Sequence, residues 1–428
     1  MLTLIRKLIK NKFIKNVTII ASGTALAQVI AFASIPFITR IYGPEAFGIL
    51  GTFTSISSFV LPIAALTYPI AIVIPKSDIE AKDIMRLSLI VCLLIGLLSV
   101  ALILIFSDTL LHLLNLEVLG SYLYLIPVAI VVAGGFQVIE QWIIRTQEFK
   151  VSAKTAIYQA LIMNSSKIGI GLYYPLSVTL IVIQTFAYAI RGLLMISLSD
   201  KSIIKKQGSF NFKKMLKVAC RYRDFPLYRS PQIFVNSASV ALPTILLTAF
   251  FGPSAAGYFT LGRQVLNTPV TLLGKAVQDV FYPKIIEVSN DNKSIKNIIL
   301  KAVLGLFSLG ALPFGILIIF GPNIFSFIFG YEWYTAGVYA RWISLFSLFM
   351  LITRPVIAAI PVLNMQRQFL FYEIVSAIIK LSALFIGVYY FNSDIYAVAF
   401  YSLSAMFLYI ILTAYVLVIA KDISRYRR

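Results

Sequence analysis

The sequence predicts an all-α integral membrane protein of about twelve transmembrane helices in two six-helix units, and three observations carry that prediction. Of the 428 residues, 59% are hydrophobic and 13% charged, with a mean hydropathy of +0.89. Apolar runs recur from end to end, each long enough to cross about 30 Å of hydrocarbon at about 1.5 Å rise per residue. A turn signature near the start of the chain reappears 209 residues later. A soluble chain of this length would instead divide into domains with polar surfaces.

The runs fall near 17–38, 47–74, 87–107, 119–142, 155–173 and 175–198, and then near 230–251, 258–282, 299–321, 336–361, 370–390 and 395–420. Pro36, Pro62, Pro69, Pro127, Pro243, Pro269 and Pro355 lie inside them. Membrane helices tolerate such prolines as kinks when neighbours satisfy the freed carbonyls. Before the first run stand Arg6, Lys7, Lys10, Lys12 and Lys15, and no A-x-A-like cleavage site interrupts the run, so we expect a retained first helix rather than a signal peptide.

Basic residues test the assignment, because short cytoplasmic loops hold the excess of Lys and Arg. Alternate gaps between the runs contain 29 of the 37 basic residues, whereas the opposite set contains Arg40 alone and the other seven lie inside helices. Both termini are therefore expected in the cytoplasm. The net charge of +20 follows from this topology, because the basic residues form no continuous nucleic-acid-binding face and no nucleic acid partner is expected. Cys92 and Cys220 are far apart and His112 is the one histidine, which excludes a disulfide framework and a histidine-rich metal site.

The longest gap, 199–229, separates a six-helix lobe at 1–198 from a second at 230–428. Within it Phe212, Met215, Leu216 and Ala219 recur at helical spacing among Lys213, Lys214, Lys217 and Arg221. This pattern suits a helix lying on anionic lipid, although a solvated basic loop would also contain these residues.

Tyr42-Gly43-Pro44-Glu45-Ala46-Phe47-Gly48 joins the first two runs, and Phe251-Gly252-Pro253-Ser254-Ala255-Ala256-Gly257 joins the seventh to the eighth at an offset of 209. Pro75-Lys76 and Pro283-Lys284, past the following runs, match at an offset of 208. Both units start on the same side of the membrane, so the repeats are parallel, an arrangement found in transporters with substrate sites between repeats.

These residues carry a resemblance. The basic amino terminus, Thr39-Arg40-Ile41-Tyr42-Gly43-Pro44-Glu45-Ala46-Phe47-Gly48 and Pro75-Lys76-Ser77-Asp78-Ile79-Glu80-Ala81 resemble the polysaccharide and O-antigen flippases of the multidrug/oligosaccharidyl-lipid/polysaccharide (MOP) exporter superfamily. The resemblance implies two bundles around a central cavity, alternating access, a location in the bacterial inner membrane and a polyprenyl-pyrophosphate-linked oligosaccharide as cargo. It further implies a polysaccharide polymerase and a chain-length regulator as partners, and no cofactor.

The sequence contains no phosphate-cradling GxxxxGK[ST] loop, metal-ligand cluster or Ser-His-Asp arrangement, which leaves ionisable residues inside helices as the candidate site. The basic set is Lys167, Arg191, Arg263, Lys275, Arg341, Arg354 and Lys380, against Glu140, Asp279 and Glu373. An electropositive interior attracts a pyrophosphate, and arginine offers it a bidentate fork. Lys275, Lys380 and Arg263 are the leading anion contacts, followed by Lys167, Arg354 and Arg40; Asp279, Glu140 and Glu373 are candidates for ion coupling. Plainer roles compete with these. Arg191, Arg341 and Arg354 lie near helix ends and can snorkel, Lys275 and Asp279 can form an i,i+4 ion pair, and Glu373 can be a solvated cap.

Two other functions fit such a chain less well. A cation-coupled drug or metabolite antiporter would favour an acidic interior, and a membrane saccharide polymerase or ligase would have a long exterior loop, whereas the exterior gaps here are short.

Overall fold

A computed structural model describes residues 12–113, 115–200, 212–290 and 294–426. Among them every regular element is helical. Six long helices, α1 (Lys12–Ile41), α2 (Pro44–Val60), α3 (Asp78–Leu113), α4 (Leu125–Arg145), α5 (Phe149–Gly171) and α6 (Ser177–Leu198), precede the connector. Six more, α7 (Ser230–Phe251), α8 (Pro253–Asn290), α9 (Ile295–Phe329), α10 (Tyr334–Ile352), α11 (Gln366–Tyr389) and α12 (Asp394–Tyr426), follow it. They correspond one for one to the twelve apolar runs. Ten of them, α2 counted together with the turn that follows it, contain an 18-residue window apolar enough to cross a membrane on composition alone. The other two, α5 and α8, are diluted by polar residues such as Asn164, Lys167, Arg263, Asn267 and Lys275.

The chain forms two compact units, Met1–Ala249 and Phe250–Arg428. In the first, α1 packs on α5, α5 on α6, α6 on α4 and α2, and α4 on α3. The seventh helix, α7, belongs to this unit, with Ala241 and Ile245 buried in a core that includes Ile49, Phe53, Ile130 and Ile181. In the second unit α10 is central, packed by α8, α9 and α12, while α11 pairs with α12. Outward-facing leucines on α3, among them Leu93, Leu94 and Leu97, are more than half exposed and present an apolar wall to lipid.

The second apolar run, read as one span over 47–74, is not one helix. After α2 the backbone tightens into a 3-10 turn at Leu61–Ile63, passes through left-handed conformations at Leu66 (φ 47°) and Thr67 (φ 56°), and resumes as a 3-10 segment at Tyr68–Val73. Pro62 and Pro69 withdraw two backbone donors here, and the burial of Ala64, Ala65 and Thr67 shields the irregular stretch from lipid. Gln137 Nε2 donates to the carbonyl of Leu61 at 2.7 Å. Thr67 Oγ1 donates to Phe225 O at 3.0 Å and lies 3.1 Å from Ser230 Oγ, joining the break to a π-turn at Phe225–Arg229 that begins α7.

The connector also differs from expectation. Its helix, Phe212–Arg221, turns Met215 and Val218 into a core with Tyr68, Ile84 and Trp142, leaving Phe212 and Leu216 outside. Arg221 Nη1 and Tyr222 Oη both reach Glu80 Oε1, at 2.8 and 3.2 Å. Burial and the adjacent Glu80 carboxylate raise the Tyr222 phenol above its ordinary pKa, which keeps it a donor. The basic residues of 1–11 and of 201–211 lie outside the described residues.

The two Gly-Pro turns are not equivalent in backbone. Gly43 is extended (φ −70°, ψ 173°) ahead of Pro44, a conformation open to any residue, whereas Gly252 has φ +82°. We therefore expect Gly252→Ala to cost about 1–2 kcal/mol through left-handed strain and Gly43→Ala to cost nothing for that reason. Thermal unfolding in detergent checks this, and equal losses at the two sites would contradict it.

Candidate functional site

The intramembrane charges meet different fates in the two units. In the first, Glu140 on α4 lies 3.5 Å from Arg191 Nη2 on α6, and the guanidinium also sits 5.1 Å above the Phe136 ring. Arg191, which the sequence leaves free to snorkel, is thus held inside its unit. Lys167 Nζ donates to Gln184 Oε1 at 3.2 Å, and the backbone carbonyl of Lys167 accepts from Tyr42 Oη at 2.9 Å. Tyr42 is fully buried, and a Cβ on Gly171 would collide with its ring, so the glycine lets the first turn motif dock on α5. Arg40 is exposed in the last turn of α1.

The second unit gathers its charges. Arg263 on α8 and Glu373 on α11 both lie within electrostatic reach of Lys380 on α11. Tyr409 on α12 lies within reach of Arg354, Glu373, Arg263 and Tyr401 together. Tyr401 is fixed by edge-on contacts to Phe259 and Phe346, each with centroids 6.2 Å apart. Arg354 stands where α10 gives way to a short helix, Arg354–Ala359, with Pro355 behind it. Its Nε, Cδ and Cγ lie 2.8, 3.0 and 3.1 Å from where a Cβ on Gly274 would be, so this arginine lies across α8 on a surface that only glycine leaves open. The Nε of Arg354 has no hydrogen-bond partner, nor have the buried oxygens of Thr260, Asn267, Ser344, Ser347 and Ser402 in the same unit. Arg263, Arg354 and Lys380, all half-buried, and the exposed Glu373 therefore lie within electrostatic reach of shared groups in one unit, which also holds several unpaired polar oxygens.

Of the sequence candidates, Arg263, Lys380, Arg354 and Glu373 are brought together, while Lys167, Glu140 and Arg40 belong to the first unit. Lys275 is exposed on α8, and Glu373 is exposed on α11. Asp279 lies on α8, but its side chain is outside those described, so its pairing with Lys275 is not visible. Arg341 donates from Nη2 to Ile319 O at 2.9 Å, in the turn before Pro322. Sequence reasoning passed over Tyr401 and Tyr409; the detectable signal was their eight-residue spacing, which keeps both on one helical face. It also passed over Gly274 and Arg145. The latter holds the loop after the break through Ile72 O (3.0 Å), Pro75 O (2.6 Å) and Asp78 Oδ1 (2.9 Å).

A polytopic helical membrane protein of two units, with charge concentrated inside its spans, defines a class that solved structures extend. Over 92% of this chain and 96% of the other, the fold is similar to the inward-facing conformation of a multidrug resistance MATE family transporter of the MOP superfamily, with a TM-score of 0.70 and 14% identity. It is similar to the inward closed conformation of the lipid II flippase MurJ over 93% of this chain and 87% of that one, with a TM-score of 0.69 and 14% identity. A MOP superfamily transporter from Pyrococcus furiosus, described as having a binding pocket of reverse polarity, matches over 94% of both chains with a TM-score of 0.57 and 12% identity. No curated protein matches the sequence. Residues 37–338 match the model of the polysaccharide biosynthesis protein family, and the chain belongs to that family.

If Glu140 and Arg191 hold one another, removing either leaves a partly buried charge. We expect Glu140→Ala and Arg191→Ala each to cost about 1–2 kcal/mol, given their partial exposure, and the double variant to cost less than the sum. Thermal unfolding in detergent measures the cycle, and strict additivity would show that the pair contributes nothing.

Proposed function

We propose that the protein is a flippase that moves a polyprenyl-pyrophosphate-linked oligosaccharide, such as an O-antigen, capsule or exopolysaccharide repeat unit, from the cytoplasmic to the outer leaflet of a bacterial inner membrane by alternating access. The observation that supports this reading is the excess of cations in the second unit, where Arg263 and Glu373 lie within electrostatic reach of Lys380, and Arg354, Arg263 and Glu373 within reach of Tyr409. A charge within a membrane span is costly, about 2.5–3.5 kcal/mol at the bilayer centre by insertion scales, and by default marks a functional site. An anionic head group supplies a partner for such cations, and a pyrophosphate accepts the forked donors of arginine.

Tyr401 and Tyr409 lie within electrostatic reach of the arginines and offer hydroxyls suited to phosphate or sugar oxygens. Lys275, Lys167 and Arg40 would serve as further contacts for the anion, and Asp279, Glu140 and Glu373 as groups coupling transport to an ion. Glu373 is the best placed of these, beside Lys380. In this reading both termini lie in the cytoplasm, with six spans before the connector at 199–229 and six after it. A polymerase and a chain-length regulator would act on the delivered cargo.

Arg263→Gln and Lys380→Gln should each lower complementation of a flippase-deficient strain, scored as surface polysaccharide, by at least about tenfold, the size expected from losing one charge-assisted contact. Membrane abundance should be unchanged. Wild-type polysaccharide levels in both variants would refute the assignment of this site to the cargo.

A further inference from the structure

Along α8 the residues that recur at alternating steps of four and three, Thr260, Gln264, Asn267, Thr271, Lys275 and Gln278, are all polar. Thr268, four residues after Gln264, lies on the same face. From Thr260 to Gln278 the helix rises about 27 Å, so the stripe crosses nearly all of a hydrocarbon layer about 30 Å thick. We propose that its accessible part, Gln264, Thr268 and Thr271, binds the uncharged saccharide of the cargo through hydrogen bonds, an inference that rests on the flippase reading and deepens it.

Burial divides α8 into three sectors. Gly262, Leu266, Val270 and Gly274 are buried, and the two glycines face Ile343 of α10 and Arg354, so this sector packs on protein. Val265, Leu272 and Ala276 form a second, apolar sector that suits lipid. The polar stripe is the third, with Gln264, Thr271 and Lys275 exposed and Thr268 and Gln278 half-buried. Amides and hydroxyls facing hydrocarbon lose hydrogen bonds that water or a polar ligand would supply. A separate apolar sector already meets the lipid, and the stripe therefore borders a polar space.

The chemistry of the stripe favours neutral hydroxyls. Thr268 Oγ1 donates to Gln264 O at 2.8 Å and Thr271 Oγ1 to Asn267 O at 2.9 Å. Each hydroxyl proton is thereby committed to the helix backbone, which leaves the oxygen as an acceptor, and the Gln264 amide adds both donors and an acceptor one turn away. Between Thr260 and Gln278 the helix contains no acidic residue, so a cationic ligand finds no carboxylate there. Acceptors and a neutral amide serve O–H groups, whereas a phosphate is better served by the cations. The stripe runs between Arg263 and Lys275, both assigned above to the pyrophosphate, and sugars attached to a head group held by either would lie along these side chains. A site built to pair hydroxyls also discriminates against ligands that lack them.

The test uses the full-length protein and has two arms. In a background where Cys92→Ala and Cys220→Ser remove the native thiols, Gln264→Cys, Thr268→Cys and Thr271→Cys should react with a membrane-impermeant thiosulfonate applied from either side, and Leu272→Cys should not. Binding to the purified protein is then measured for undecaprenyl pyrophosphate and for the lipid-linked repeat unit of a strain that the wild-type protein complements. Thr268→Val with Thr271→Val should bind the repeat unit at least about tenfold more weakly, as expected from losing two neutral hydrogen bonds, and the sugar-free lipid as before. Thr268→Ser with Thr271→Ser, which keeps the hydroxyls, should recover the affinity. Gln264→Leu repeats the comparison if the valines lower the thermal midpoint. Unreactive stripe cysteines, undiminished affinity for the repeat unit, or equal weakening for both lipids would overturn the proposal. So would a disulfide-linked dimer through Thr271→Cys, which would give this face to a second copy of the chain. If the wild-type protein complements no strain, the flippase reading itself fails and the saccharide assignment falls with it, whereas the cysteine arm still reports whether the stripe meets water.

Discussion

In hydrocarbon, a backbone carbonyl that loses its helical partner finds no water to replace it, so every departure from regular helix must have a donor from elsewhere in the protein. The broken second span is organised by this constraint. Gln137 reaches across from α4 to Leu61 O, and Arg145 from the end of the same helix takes Ile72 O and Pro75 O. The break is thus flanked by two side chains of one neighbour, at sequence separations of 70 to 76 residues from the carbonyls they bind. Thr67 then hands its hydroxyl to Phe225 O, a carbonyl of the π-turn at the head of α7. Two irregular segments that would each be costly alone share one polar node.

The same constraint sorts the charges. In the first unit Arg191 finds Glu140 and an aromatic face, and Lys167 finds the side-chain carbonyl of Gln184, so the charges there have neutralising or hydrogen-bonding partners at hand. In the second unit Arg263 and Glu373 lie within electrostatic reach of Lys380, and Arg354, Arg263 and Glu373 within reach of Tyr409. An interior of this kind repels cationic ligands and favours anions, which is why the antiporter reading fits it less well than cargo with a phosphorylated head.

Most of the fold was legible because hydropathy integrates over twenty residues and is insensitive to detail. Each apolar run contains a long helix, two of the runs are divided, and some helices overrun their runs, as α3 and α8 do, because polar residues at the ends can sit at head-group depth. The break after Val60 was not legible, since Leu66 and Thr67 are ordinary residues whose left-handed backbone is imposed by tertiary contacts. In the connector, the amphipathic pattern says that Met215 will be buried, but not that protein buries it while Phe212 and Leu216 stay exposed. In the site, the identity of intramembrane charges was readable one residue at a time. Their grouping was not, because partners such as Arg263 and Lys380 are more than a hundred residues apart and periodicity carries no information across helices.

The repeat links these points. At the offset of 209 that relates Gly43 to Gly252, Arg145 corresponds to Arg354, and each arginine follows the fourth helix of its half and reaches the second. In the first half the second span is broken, and its freed carbonyls saturate the guanidinium. In the second half α8 continues unbroken as a helix, so it presents no freed carbonyls there, and Arg354 lies across Gly274 with its Nε unpaired. One ancestral position would thus have two fates decided by the backbone opposite it. Where the partner helix breaks, the arginine is structural; where the helix stays whole, the same charge is left available inside the membrane, beside the other cations that give the second unit its sign.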